Sequence, residues 1–513
     1  MLAIFQFDAA SASALDRLLD AGRLPALAAL RGRGVWHDLD APATQFAAGA
    51  QYTLYSGVEI EDHGLFYPFQ WKADEQRVHY MHAFPAPPPV WEQLGPRGTR
   101  SLVIDPYESR APAQAPPGEL VCGWQLLDRV VLQKWASPES THRRLERLFG
   151  PPETVNEVFG RHSVSEMLGL RRRLLGAPGR VADAFEVLLR QPPFDLAWVT
   201  FNAAHVAGHQ FWDLSQLDPD ELDDASSHLL GTTLDDVYAS VDAALARLVA
   251  ALPEGADLMV ISPVGMEVNT SRADLLPEML ARVLDPQDTA ADTSAAADDA
   301  GAAGGSGAIW RLRAALPSGL RGQIAGALPA KVALDLTARL ETRGMDWSST
   351  RAFAHPAENQ GYIRLNRKGR ERDGIVAPDE ADALMDEIAA GLSTFHDFDG
   401  TPAVRSVERV ADRFGTGSRA DLLPDLIVRW SDQPATALEG VRSDRFGTVR
   451  RHGVGSGRSG NHSEGDAWAL VVPGTSRHAE PSRPPRLEDI AATALSLGGV
   501  DPRVTVGEPL LVR

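Results

Sequence analysis

The chain has 513 residues and carries 50 Lys+Arg against 69 Asp+Glu, a formal net charge of −19, in a composition that is 44% hydrophobic and 23% charged. So acidic a surface repels phosphate backbones and anionic headgroups, which argues against general nucleic-acid or membrane-surface binding. The length allows two to four domains, or one large α/β core carrying insertions.

The densest basic run, Arg171-Arg172-Arg173, sits among Leu168, Leu170, Leu174 and Leu175 at helical spacing and reads as a solvated helix face. With Cys122 as the single cysteine, an intramolecular disulfide framework is excluded. Cys122 follows Leu120-Val121 and precedes Gly123-Trp124, the pattern of a buried strand end. Met1 to Asp8 has no basic region followed by a long apolar run, and no segment reaches transmembrane length. The expected address is the cytoplasm.

Short apolar runs alternate with helical patterns, which predicts a mostly parallel sheet covered on both faces. The first strand is Leu2 to Phe7, ending at Asp8, and Ala14 to Leu30 follows with helix-period leucines. Further strands are predicted at Ser101 to Ile104, Leu196 to Phe201, Leu258 to Ile261, Leu426 to Trp430 and Ala467 to Val472. Ligands of open α/β sheets bind beyond the carboxyl ends of the strands, so Asp8, Asn202 to His209 and Ser262 to Glu267 become the positions of interest. Asp285 to Gly307 is low in complexity and reads as a flexible linker, and Ile309 to about Met345 has a helical pattern.

Three of these positions carry chemistry. Asp8 at a strand end is suited to bind a metal, to act as a base, or to cap the following helix. His205 and His209, four residues apart on a helix, project from one face, so both imidazoles can reach one ion. His462 stands in the glycine-rich segment Arg458-Ser-Gly-Asn-His462-Ser-Glu-Gly465, a loop before the Ala467 strand.

Taken in order, these segments resemble the alkaline phosphatase superfamily, in the branch of type I phosphodiesterases and nucleotide pyrophosphatases and their predicted phosphohydrolase or phosphomutase relatives. The likeness runs from Phe7-Asp8-Ala9 through Gly22 to Leu30, Pro42-Ala-Thr44 to Gly57, Asp62-His63-Gly64, His205 to Trp212, Tyr238 to Asp242 and Val260-Ile-Ser262. It continues in Asn359 to Glu371, Gly374 to Val376, Pro424 to Trp430 and the His462 loop. The resemblance implies an alkaline-phosphatase-like three-layer αβα core. It also implies two divalent ions, commonly zinc, flanking a Thr or Ser nucleophile. One such ion is held by an Asp, a His and a late loop His; the other by the first-strand Asp, the nucleophile and a Ser-Asp-His-Gly segment.

Only part of that pattern is present. His209, His462 and Asp8 match, while His205 stands where the pattern has Asp, which makes the first site a three-histidine site suited to zinc, with iron or manganese as alternatives. At the second site the chain reads Ser262-Pro263-Val264-Gly265. The nucleophile position falls on Ala47, with Thr44 the nearest earlier hydroxyl; Thr53 and Ser56 read as helix-packing residues, and Glu267 is a nearby carboxylate.

The expected architecture is a core split between residues 1–275 and 346–513 around an insertion at 276–345 that contains the linker 285–307. The expected function is that of a metal-dependent hydrolase of a small anionic or phosphoester metabolite, with no nucleic-acid or membrane partner and the oligomeric state open. One divalent ion would bind His205, His209 and His462. Asp8 and Thr44 would be catalytic, and Arg458 and Asn202 would bind substrate. The alternatives are a metalloenzyme turned to other small-molecule chemistry and an inactive binding homologue.

Overall fold

The computed structural model describes the chain except for residues 129–130, 156–161, 192, 286–344, 358 and 452–456. The linker at 285–307 and the helical pattern from Ile309 lie almost wholly outside the described residues.

An eight-stranded sheet forms the centre. Its middle strand, Leu2–Phe7, is buried along its whole length and runs parallel to Leu196–Phe201 on one side and Asp257–Ser262 on the other. Ser101–Ile104 and Gly118–Cys122 extend the parallel part. Antiparallel strands close both edges, Ala467–Val472 and Val35–Leu39 at one and Trp135–Ser137 at the other. Near-continuous apolar runs are what a strand covered on both faces requires.

The two faces are separate cores. Ala3, Phe5 and Phe7 pack with the helices Ala12–Asp20, Val164–Leu189, Ala203–Phe211 and Thr233–Ala251. Leu2 and Ile4 pack with Ala50–Ser56 and Glu488–Leu497. This is a three-layer αβα fold with a mostly parallel sheet. Ser163 and Glu166 form a reciprocal capping box that starts the long helix Val164–Leu189.

Three sequence expectations shift. The helix expected from Ala14 to Leu30 is two helices, Ala12–Asp20 and Pro25–Arg31, because Gly22 turns with a positive φ and Pro25 opens the second. Asp242 caps that second helix from a distance, accepting from the amides of Ala26 and Leu27 at 2.9 and 2.8 Å. Leu426–Trp430 is a strand, but of a separate four-stranded antiparallel sheet with Ala352–His355, Gly361–Leu365 and Val404–Arg409. An apolar run does not encode which sheet it joins. His462 lies not in a loop but on the short strand Gly460–His462, paired with Met266–Val268.

The second sheet has its own core, closed by Leu276–Leu284 and Ala381–Leu392. The long stretch from Asn359 to Glu371 is largely its scaffold. Buried Glu371 accepts from Arg364 Nε and Arg370 Nε at 2.9 Å each and from Trp71 Nε1 at 2.7 Å. Removing it leaves Arg364, itself almost fully buried, without its counter-charge. Glu371→Ala should cost ~3–5 kcal/mol, the usual penalty for stranding a buried charge. Thermal denaturation checks this, and a change within the error of the parent would refute it.

Candidate metal centre

The register sets Gln6 opposite Thr200 and Phe7 opposite Phe201, so Asp8 and Asn202 leave the sheet side by side at the carboxyl edge. Asp8 does not cap the next helix; Ser11 does, accepting from Ala14 N at 3.1 Å. The Asp8 side chain instead meets the helix Ala203–Phe211, where its Oδ2 lies 2.7 Å from His205 Nδ1.

His205 Nε2 stands 3.0 Å from His209 Nε2 and 3.1 Å from His462 Nε2. The ligand atoms of all three imidazoles lie within 4.8 Å of one another. Two glycines allow it. A Cβ on Gly208 would stand 2.5 Å from Met266 Cγ, and one on Gly460 would stand 2.1 Å from the Gly208 carbonyl oxygen. The helix carrying two histidines and the strand carrying the third therefore touch backbone to backbone.

Hydrogen bonding sets the tautomers. Asp8 is an acceptor, so His205 carries its proton on Nδ1. The Gly460 carbonyl accepts from His209 Nδ1 at 3.0 Å, so His209 does the same. Both Nε2 atoms then present lone pairs to one point, an arrangement that a cation between them satisfies. Burial, with the positive charge of Arg458 and the neighbouring histidines, holds His209 well below the usual imidazole range. His462 is lowered in the same way, first by burial. Both are neutral at pH 7, as metal ligands must be.

The other predicted positions lie around this cluster. Asn202 is fully buried; its Nδ2 donates to the Asp105 carbonyl at 3.4 Å, and its Oδ1 has no hydrogen-bond partner among the described residues. Arg458 is buried, and its charge acts on both His209 and His462. Thr44 ends a 3₁₀ turn and donates to Ala41 O at 3.3 Å. Gln360 Nε2 reaches the Thr44 carbonyl at 3.4 Å while its neighbour Asn359 donates to the His462 carbonyl at 2.6 Å, so one loop ties the Thr44 turn to the third histidine. Glu267 faces away, with Ser13 Oγ donating to it at 2.7 Å. Cys122 is fully buried at its strand end, and burial pushes its thiol well up.

Thr53 and His63 form a pair at 3.0 Å that looks like an activated hydroxyl. It is not one. The Leu65 amide donates to His63 Nδ1 at 3.0 Å, so the ring proton sits on Nε2 and is given to Thr53. Sequence reasoning missed Gln6 and Gln51, which hold Asp8, and Tyr107, whose ring lies 4.7 Å from that of His205. Gln6, a lone amide inside an apolar strand, was the available signal.

A family model described as type I phosphodiesterase / nucleotide pyrophosphatase matches residues 2–454. The chain belongs to this family. Phosphonoacetate hydrolase from Sinorhizobium meliloti 1021, in complex with phosphonoacetate, shares the fold at a TM-score of 0.51, with 14% identity over 97% of this chain and 96% of that one. An inactive murine ectonucleotide pyrophosphatase / phosphodiesterase 5 in complex with AMP gives a TM-score of 0.48 and 13% identity over 97% and 95%. No curated protein sequence matches significantly. The family is one of hydrolases, placed in the alkaline phosphatase superfamily, and it is metal-dependent in general. No described helix is long and apolar enough to cross a membrane.

Two outcomes follow from the packing and the buried imidazoles. Gly460→Ala should force the strand Gly460–His462 off the helix, costing roughly 1–3 kcal/mol of overpacking and weakening metal uptake; calorimetry and metal titration read both, and parent-like values in each would disprove the account. Burial lowers His63 to about 3 and His355 to about 3 from 6.5. Below pH 6.5 the unfolded chain protonates at these positions and the folded one does not, so stability falls with pH by about 1.4 kcal/mol per unit for each histidine down to its folded value. The thermal midpoint of His63→Gln should therefore drop less between about pH 7 and about pH 4.5 than that of the parent.

Proposed function

We propose that the chain is a hydrolase of small anionic phosphoesters that works with a single divalent ion, zinc fitting best, on the Nε2 atoms of His205, His209 and His462. The convergent lone pairs are the observation that carries this reading. Tetrahedral zinc, with Zn–N near 2.0–2.1 Å, spaces its nitrogens roughly 3.3 Å apart; His205 Nε2 lies 3.0 and 3.1 Å from the other two Nε2 atoms, and the three ligand atoms all fall within 4.8 Å of one another. Manganese prefers oxygen ligands, while imidazoles suit zinc and iron alike, so the close spacing of the nitrogens is what favours zinc.

A divalent ion there supplies Lewis acidity toward a phosphoryl or similar ester oxygen. The protein groups do the rest. Arg458 adds fixed positive charge beside the cluster, which favours an anionic ligand despite the net charge of the chain. Asn202 Oδ1, buried without a partner, accepts a donor from the substrate. Thr44, tied through the Asn359-Gln360 loop to His462, is the hydroxyl offered as nucleophile. Tyr107 covers one face of His205 and keeps water from it.

Elemental analysis of purified protein should give one divalent ion per chain. Chelation should abolish hydrolysis of p-nitrophenyl phosphate or its bis-ester. His209→Ala should weaken metal binding by more than the ~10–100-fold that loss of an outer-shell partner costs. Thr44→Val should keep the ion and lose turnover. Metal-free protein with the three histidines intact would overturn the reading. Stoichiometric metal without turnover of any phosphoester would favour the second reading, a metalloenzyme turned to other small-molecule chemistry, which the apolar Pro263-Val264 pair supports.

A further inference from the structure

The resemblance to two-ion hydrolases gives the first-strand Asp to a second ion. In this chain the surroundings of Asp8 do not fit that ion. Val264 is 2% exposed and, like Pro263, offers no donor, and Ala47 replaces a hydroxyl. Ser262 Oγ is already engaged, accepting from the Ala10 amide at 3.0 Å and donating to the Val264 carbonyl at 2.8 Å.

The amides around Asp8 have one consistent orientation. The Trp198 indole Nε1 can only donate, and it donates to Gln6 Oε1 at 3.1 Å. Tyr55 Oη donates to the same oxygen at 3.3 Å. The Gln6 amide nitrogen must then point the other way, where it donates to Gln51 Oε1 at 2.9 Å and lies 3.5 Å from Asp8 Oδ1. With its own oxygen used, Gln51 turns its nitrogen to Asp8 Oδ1 at 2.7 Å. Asp8 Oδ1 thus faces N–H donors where a cation ligand would need an open lone pair, and Oδ2 accepts from His205 Nδ1 at 2.7 Å. Every member of this chain is buried, Gln6 and Asp8 completely.

We propose that Asp8, fixed by the Trp198–Gln6–Gln51 chain of hydrogen bonds, is the positioning carboxylate of His205 and binds no second ion. The carboxylate fixes the Nδ1–H tautomer, aims Nε2 at the cluster and raises its basicity toward the bound ion. The inference rests on the three-histidine site proposed above.

The test uses the full chain with cobalt(II) or zinc as the probe. Wild type should bind one ion. Asp8→Asn should still bind one, about 10–100-fold more weakly, because the new amide nitrogen opposes that of Gln51. The double variant D8N/Q51E lets the new amide donate to a carboxylate at position 51 while its oxygen accepts from His205, and should recover at least about tenfold of that loss. A purely packing role for Asp8 would not be rescued by moving the charge. Two ions on wild type falling to one in Asp8→Asn would overturn the inference, as would unchanged affinity in Asp8→Asn. Should Asp8→Asn fail to fold, the wild-type count and that of Gln51→Met decide alone: one ion on each supports the assignment, and a second ion on either refutes it. No ion on wild type would sink the three-histidine reading itself.

Discussion

Everything in the candidate site depends on one close approach, that of the helix Ala203–Phe211 to the two-stranded antiparallel sheet made by Met266–Val268 and Gly460–His462. Without Gly208 and Gly460 a methyl group would occupy the contact, and His462 could not come within 3.1 Å of His205. The helix is in turn anchored by the parallel strand before it, whose register with Leu2–Phe7 puts Asp8 beneath His205. Sheet register, helix position and the contact with the strand Gly460–His462 thus converge on three nitrogen atoms. A metal site held by distant segments needs such rigid elements, since small errors in ligand placement forfeit affinity.

Much of this was legible in the chain. Strands buried on both faces announce themselves as apolar runs, and five of the six expected strands belong to the central sheet. The i, i+4 histidines declare their shared face because the helix period is fixed by the backbone. What could not be read was pairing over long separations. Leu426–Trp430 is as apolar as any central strand yet joins the antiparallel sheet, since membership is decided by which partner strands it meets. The strand of His462 is three residues long and begins with a glycine, so it carries no period-2 signal of its own, and its partner lies far away in the chain.

Part of the resemblance to known hydrolases is carried by Asn359 to Glu371, and much of that stretch is scaffold rather than chemistry. Glu371 joins Arg364 and Arg370, and Asn366 Nδ2 donates to the carbonyls of Trp347 and Thr350 at 3.0 Å each. A run rich in buried charge has few substitutes, because each partner removed leaves another uncompensated. Such segments mark a fold strongly while saying little about the reaction. The exception is Asn359, at the edge of the stretch, whose contact with the His462 carbonyl links the scaffold to the cluster.

Acidity is the remaining thread. In a chain of net charge −19 the imidazole cluster meets the carboxylate of Asp8 and the positive charge of Arg458 among the described residues. Asp8 is turned to His205 and the two glutamines, so its charge stabilises the imidazole side of the site instead of facing an incoming anion. Pro263 and Val264, just past the end of the neighbouring strand Asp257–Ser262, carry no side-chain group that could bind an ion. Coulombic attraction falls off beyond about 10 Å at moderate salt, so the acidic exterior acts on approach and the local balance governs binding. With the proposed divalent ion in place that balance would be positive, the ion and Arg458 standing against the hydrogen-bonded carboxylate of Asp8. The net charge of the whole chain therefore does not determine the charge of the ligand at this one point.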